Sequence, residues 1–354
     1  MTAPTVSPGR RALVAGLLQR QGAAVVLVVV VVVAWLAFPR FGTGDNLRDL
    51  ALQSSFLAVI ALGMTFVIIT GGIDLSVGSV YALGGVLAAY GSRFGVVVAL
   101  LLPLVVCGAI GLVNGLLVAR TRMAPFIVTL AGLLFARGLL LLITSEGATT
   151  YKIEPDSAFL WLGRGTILGI GVPVYVAVVL FLLGGLVLQR SRFGQSVFAT
   201  GGAESSALLM GLPVARTKVL VYTGSGLLAG FAGAMTAAYL QSGVTVIGVG
   251  TELDAISVVV IGGTLLTGGA GSVLGTMIGV LLRNVIQNVI NLVGSLDSNI
   301  QSVVSGAFLL IVVIIQRALS RSRGGTSSRG PARQSAKSIG SGRGDVERSR
   351  TGRT

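Results

Sequence analysis

The chain has 354 residues, 53% of them hydrophobic and 11% charged, with a mean hydropathy of +0.91. So few charges cannot hydrate the surface of a soluble fold of this size, and long apolar runs belong in lipid. The absence of histidine and the single cysteine, Cys107, exclude imidazole triads, disulfides within one chain and cysteine metal centres.

Residues 1–21 read as a polar cytoplasmic segment carrying Arg10, Arg11 and Arg20, and the run 22–38 reads as a first span. A secretory signal peptide is the competing account of that start. Further spans are expected at 50–70, 73–91, 95–118, 125–144, 172–189, 216–240, 252–268, 271–292 and 299–316, each about long enough to cross ~30 Å of hydrocarbon. The segments 73–91 and 252–268 carry acids near their starts and suit re-entrant or broken helices. The expected fold is all-α and integral to the membrane: about ten transmembrane helices over 22–316.

Basic residues set the orientation. With ten spans and the N-terminus inside, the inner segments hold Arg10, Arg11, Arg20, Arg120, Arg122, Arg190, Arg192, Arg216 and Lys218. The outer loops hold Arg40, Arg48, Arg93, Lys152 and Arg164, so both termini are expected in the cytoplasm. The tail 317–354 adds ten basic residues in a Gly/Ser/Arg-rich stretch that cannot bury a core and should be disordered. Contact with anionic headgroups is its alternative role, and no interleaved aromatics favour nucleic acid.

Spans two to five and seven to ten form two strings of similar length that would be inverted relative to each other, as in many transporters. Near equivalent starts lie GGIDLSVGSV at 71–80 and GTELDAISVV at 250–259, which sets Asp74 against Asp254. Gly111 and Gly115, then Gly271, Gly275 and Gly279, recur at four-residue spacing, as close helix packing in lipid requires. The connection 145–171 falls outside, where a partner or substrate would dock, and 190–215 falls inside.

No phosphate cradle of the G-x-x-x-x-G-K-[ST] type is present, so ATP hydrolysis is expected elsewhere and the chain itself is read as no enzyme. Polar groups within the spans are costly and therefore informative. Asp74 and Ser76 suit either a translocation path or a cap on the third span. Asn284, Gln287, Asn288 and Asn291 share one helical face, suited to lining a path or to bonding helix to helix. Arg137 is expected to snorkel to the headgroups. The inner loop carries a short candidate helix, Glu204 to Met210, ended by Gly211 and Pro213; its Leu208, Leu209 and Met210 call for a covering partner.

At these residues the chain resembles the permease subunits of bacterial ribose-type (monosaccharide) ABC importers. The resemblance is carried by GMTFVIITGGIDLSVGSVYALGG at 63–85, GLVNGLLVARTRMAPFIVTLAGLLFARG at 111–138 and GTELDAISVVVIGGTLLTGGAGSVLGT at 250–276, and it covers most of 50–316. It implies a type II ABC importer-like permease in the bacterial inner membrane, paired with a second permease chain as homodimer or heterodimer. It also implies cytoplasmic ATPase subunits binding ATP and Mg, an external sugar-binding protein, and no cofactor in this chain. The loop 192–212 would insert into the ATPase as a coupling helix, with Gly201, Gly202, Glu204, Ser205, Ser206, Ala207 and Gly211 at the contact. Where the family carries Asn after the Gly pair, Ala203 stands here; where it carries a basic residue, Leu208 stands; and Val289 replaces its Gly. The substrate class so implied is a pentose or hexose, with nucleosides, branched-chain amino acids or ion-coupled transport as alternatives.

Overall fold

A computed structural model describes residues 10–121 and 123–293 together with 303, 306 and 307, with side chains from Ala23 onward. The expected span 299–316, apart from those three positions, and the tail 317–354 lie outside the described residues.

Twelve helices, α1 to α12, run through the described residues. α1 (Arg10–Ala37) extends further back than the expected span, because no Gly–Pro break separates 10–21 from the apolar run. α2 (Gly44–Ile69), α4 (Val96–Arg120), α5 (Pro125–Ile143), α7 (Val172–Arg190), α10 (Val214–Leu240) and α12 (Val273–Val293) are each long and apolar enough to cross a membrane. α3 (Val77–Gly91) and α11 (Thr251–Ile261) are shorter, at 15 and 11 residues. The spans expected at 73–91 and 252–268 are corrected accordingly: each contains irregular backbone, before the helix in the first and after it in the second. Glycine supplies the breaks, with φ of +79° at Gly71 and +89° at Gly263. The short helix stands second in both strings, α2–α3–α4 and α10–α11–α12.

α10 lies at the centre, packed on α2, α3 and α4. Its approach to α4 depends on absent side chains. A Cβ on Gly115 would lie 2.9 Å from the Val219 Cα, and one on Gly226 would lie 3.1 Å from the Gly111 Cα. The other end of the chain uses the same device, with Gly275 against the carbonyl of Gly262, which caps α11, and Gly279 against that of Val258 within it. The lipid-facing stripes are apolar, among them Val97, Leu101 and Val105 on α4 and Leu182 and Leu186 on α7.

The connection 144–171 is ordered. It holds α6 (Trp161–Arg164) and a two-stranded hairpin, β1 (Thr166–Ile167) and β2 (Ile170–Gly171). Ile153, Phe159 and Leu160 bury themselves against Ala88, Ala99 and Ala237. Arg164 Nε donates to the Tyr239 carbonyl at 2.8 Å, which ties this cap to the end of α10. α8 (Arg192–Gly202) and α9 (Glu204–Leu209) make up the loop at the opposite end.

Candidate translocation and coupling site

After α2 the chain turns back into the bundle before α3 begins. Ser225 on α10 contacts Gly63, two turns before the end of α2, and also holds Asp74. Asp74 therefore sits ~9 Å inside the end of α2. Its Oδ1 accepts the Ser76 N–H (3.0 Å) and hydroxyl (2.6 Å), and its Oδ2 accepts the Ser225 hydroxyl at 2.8 Å. Asn114 Nδ2 donates to Ser76 Oγ at 3.1 Å, while the Thr129 and Tyr222 hydroxyls donate to the Ile73 carbonyl at 3.2 and 3.4 Å. Asp74 and Ser76 are 1% and 2% exposed. In this conformation they are enclosed within the bundle, and their bonds pin the break to α4, α5 and α10. A carboxylate supplied with three donors is the arrangement that makes such burial tolerable.

The polar face of α12 is split among partners. Asn288 and Asn46 of α2 exchange amide bonds of 2.8 and 3.1 Å. Asn284 is buried and accepts from Arg283 at 3.2 Å, and Arg283 also pairs with Asp254 on α11. Gln287 is half-buried and Asn291 exposed. Asp254 thus faces a guanidinium where Asp74 faces hydroxyls. Arg137 does not snorkel: its Nη1 donates at 2.8 Å to the carbonyl of Thr245, in the irregular segment that follows α10.

The loop 190–215 contains two helices where the sequence pointed to one. Ser191 caps α8 by accepting the Gly194 N–H at 3.0 Å, and α9 covers the helix expected at 204–210, closed by Gly211 at φ +76°. The C-terminal end of α8 rests on both helix breaks. A Cβ on Gly201 would overlap the Ile69 carbonyl and stand 2.6 Å from the Gly269 N. That N–H donates to the same Ile69 carbonyl at 2.9 Å, and Gly268 packs on Gly71. Five glycines from three segments (Gly71, Gly201, Gly202, Gly268 and Gly269) make one backbone-to-backbone junction. In α9, Ala207 is buried, while Glu204, Ser205 and Ser206 face outward. Glu204 pairs with Lys218 of α10 at 2.7 Å, and Leu208, Leu209 and Met210 stand 56%, 90% and 69% exposed. Beneath this pair a cavity of about 390 Å³ is lined by Gly71, Gly72, Pro125, Glu204, Lys218 and Tyr222.

Sequence reasoning missed Ser225, Tyr222, Asn114 and Glu252. The first three touch the break only through the fold. Glu252 stood in a quoted motif, and its position in the first turn of a short span was the available signal. Among the described residues no cluster of side chains suits a metal ion.

The family model described as "Branched-chain amino acid transport system / permease component" matches residues 46–313. The chain is 39% identical over 318 residues to the ribose import permease protein RbsC of Escherichia coli (strain K12), covering 89% of this chain and 98% of that protein. It is 39% identical over 273 residues to the L-arabinose ABC transporter permease protein AraH of Azospirillum brasilense, covering 76% and 80%. It is 35% identical over 310 residues to the fructose import permease protein FruG of Bifidobacterium longum, covering 84% and 90%. No solved structure matches the chain. A multi-pass bundle with two broken helices and a glycine-seated loop is thus joined to a match over most of its length, and the chain belongs to the family of branched-chain amino acid transport system permease components.

Proposed function

We propose that this chain is the membrane-spanning subunit of an ATP-driven importer that carries a monosaccharide into the cytoplasm. Ribose, L-arabinose and fructose permeases among its relatives support a pentose or hexose as cargo. In this reading ATP and Mg bind to a separate ATPase that meets α8 and α9. An external binding protein delivers the sugar over the cap 144–171, and a second permease chain completes the conduit. Both termini lie in the cytoplasm.

The observation that carries this reading is the seating of α8 on both helix breaks through Gly201, Gly268 and Gly269. A push on the coupling loop reaches the α2–α3 and α11–α12 connections together, without a compliant side chain between them. Packed backbones transmit displacement because protein interiors are close-packed and poorly compressible. The exposed Leu208, Leu209 and Met210 supply the apolar surface that a partner would cover.

The test is reconstitution in proteoliposomes of this chain with its ATPase and binding protein. Labelled D-ribose, L-arabinose, D-fructose and L-leucine are offered with internal ATP. Sugar accumulation that requires ATP, the ATPase and the binding protein is expected. Accumulation of leucine alone, or of sugar by this chain alone on an ion gradient, refutes it.

A further inference from the structure

The segment between α10 and α11 leads into a carboxylate partway along the bundle. From Gln241 to Gly250 the backbone is irregular and runs back along α3: a Cβ on Gly243 would meet Val86, and Gly248 presses on Gly78. Glu252 follows in the first turn of α11, its Oε2 lying where a Cβ on Gly78 would stand. From Glu252 to the end of α11 is roughly 15 Å, and from Gly78 to the end of α3 roughly 20 Å, at 1.5 Å per residue. Those ends lie at opposite faces of the bundle, the first by the Gly201 junction and the second by the cap. Glu252 therefore sits near the centre of the hydrocarbon layer.

Among the described residues Glu252 has neither an ion-pair partner nor a hydrogen-bond donor, and it is half-buried. This separates it from the other two carboxylates inside the bundle, since Asp74 has three donors and Asp254 has Arg283. A charge at bilayer depth without compensation is costly, and such groups face water or a polar solute. Irregular backbone at that depth is tolerated only against protein or a wet cavity. Yet Val246, Val249 and Leu253, around Glu252, are 74%, 76% and 53% exposed in the single chain.

We infer that Glu252 lines the conduit and accepts hydrogen bonds from the hydroxyls of the passing solute, on a face completed by a second copy of this chain. A carboxylate is an acceptor with two oxygens, matched to adjacent hydroxyls of a neutral polyol. Two copies about a twofold axis would set one Glu252 on each side of the path. The inference rests on the sugar-import reading above and adds the residue that contacts the cargo. Gly78 is the positioning residue, since any side chain there displaces the Glu252 carboxylate and the Gly248 carbonyl together.

The test uses the assembled transporter in proteoliposomes, with ATP inside and the binding protein outside. Glu252→Gln, Glu252→Ala and Gly78→Ala are compared with wild type for uptake of D-ribose and its 2-deoxy analogue. Equal size-exclusion profiles and equal melting temperatures establish that the variants assemble. Glu252→Gln is expected to lower ribose uptake about tenfold, the scale of one hydrogen bond to a charged acceptor, and to narrow the preference for ribose over the deoxy sugar. Gly78→Ala is expected to do the same with every charge retained. Wild-type uptake and sugar preference in assembled Glu252→Ala overturn the inference, as does loss of a sodium or proton dependence in place of a change in sugar preference. Absence of sugar uptake by wild type strikes the import reading instead, so the two failures are distinguishable.

Discussion

Gly201→Ala probes the junction between the proposed coupling loop and the helix breaks most directly. The new methyl would overlap the Ile69 carbonyl and stand 2.6 Å from the Gly269 N, the two partners of a 2.9 Å hydrogen bond. Those atoms are backbone held by α2 and by the loop before α12, so no rotamer change relieves the overlap. Overpacking of this kind costs about 1–3 kcal/mol, and losing the hydrogen bond adds about 0.5–1.5 kcal/mol. The relief available is to lift α8 off its seat, which leaves the helices themselves and the Ile69–Gly269 hydrogen bond intact. Gly185→Ala, on α7 and outside the junction, is the control, because a Cβ there has open space around it. In the assembled transporter, Gly201→Ala is expected to keep its ATPase partner but lose at least tenfold in the stimulation of hydrolysis by loaded binding protein, measured as phosphate release. Gly185→Ala should stay within about twofold of wild type, the margin expected of a substitution that strains nothing. Equal stimulation in the two variants refutes the role assigned to the junction.

Three further outcomes are expected. Glu204→Lys should weaken sugar-stimulated hydrolysis several-fold by setting two cations together, and Glu204→Lys with Lys218→Glu should recover most of it; a double swap no better than the single one refutes a role for the pair. Asp74→Ala strands the Ser76 and Ser225 donors and should destabilise the detergent-solubilised protein by about 3 kcal/mol or more, whereas Asp74→Asn retains an acceptor and should cost less than half as much, as read from thermal unfolding. For Asn46 and Asn288, a double-mutant cycle to Ala should return a coupling of about 0.6 kcal/mol, the usual worth of an interhelical bond in lipid, and a coupling of zero would remove the amide pair as a fastener of α2 to α12.

The long helices were legible because burial in lipid demands unbroken apolar runs, as Val25 to Val33 and the stretch 96–118 show. The two discontinuities were legible too, since an acid beside glycine in an otherwise apolar stretch is poorly suited to lipid. The termini of those helices were less so. The stretch 252–268 is apolar almost throughout, yet the helix stops at Ile261 because Gly262 and Gly263 turn the chain toward α8. Arg137 was misjudged for a related reason. An arginine near a span's end usually reaches the headgroups, but here the Thr245 carbonyl, more than a hundred positions away, is closer to hand.

Local composition alone determined that the chain lives in a bilayer, where most of its described spans fall, that two of them break, and that a short helix lies near 204–210. Each of those follows from the cost of placing a residue in lipid or water, which depends on the residue and its near neighbours. Tertiary structure decided which carboxylate is silenced and which is left bare: Asp74 is enclosed because Ser225 comes to it, and Glu252 stands unpaired because no cation among the described residues does. It also decided that the loop 190–215 rests on both breaks at once. Such pairings join residues separated by 67 to 200 positions, and the spacing along a chain carries no record of them.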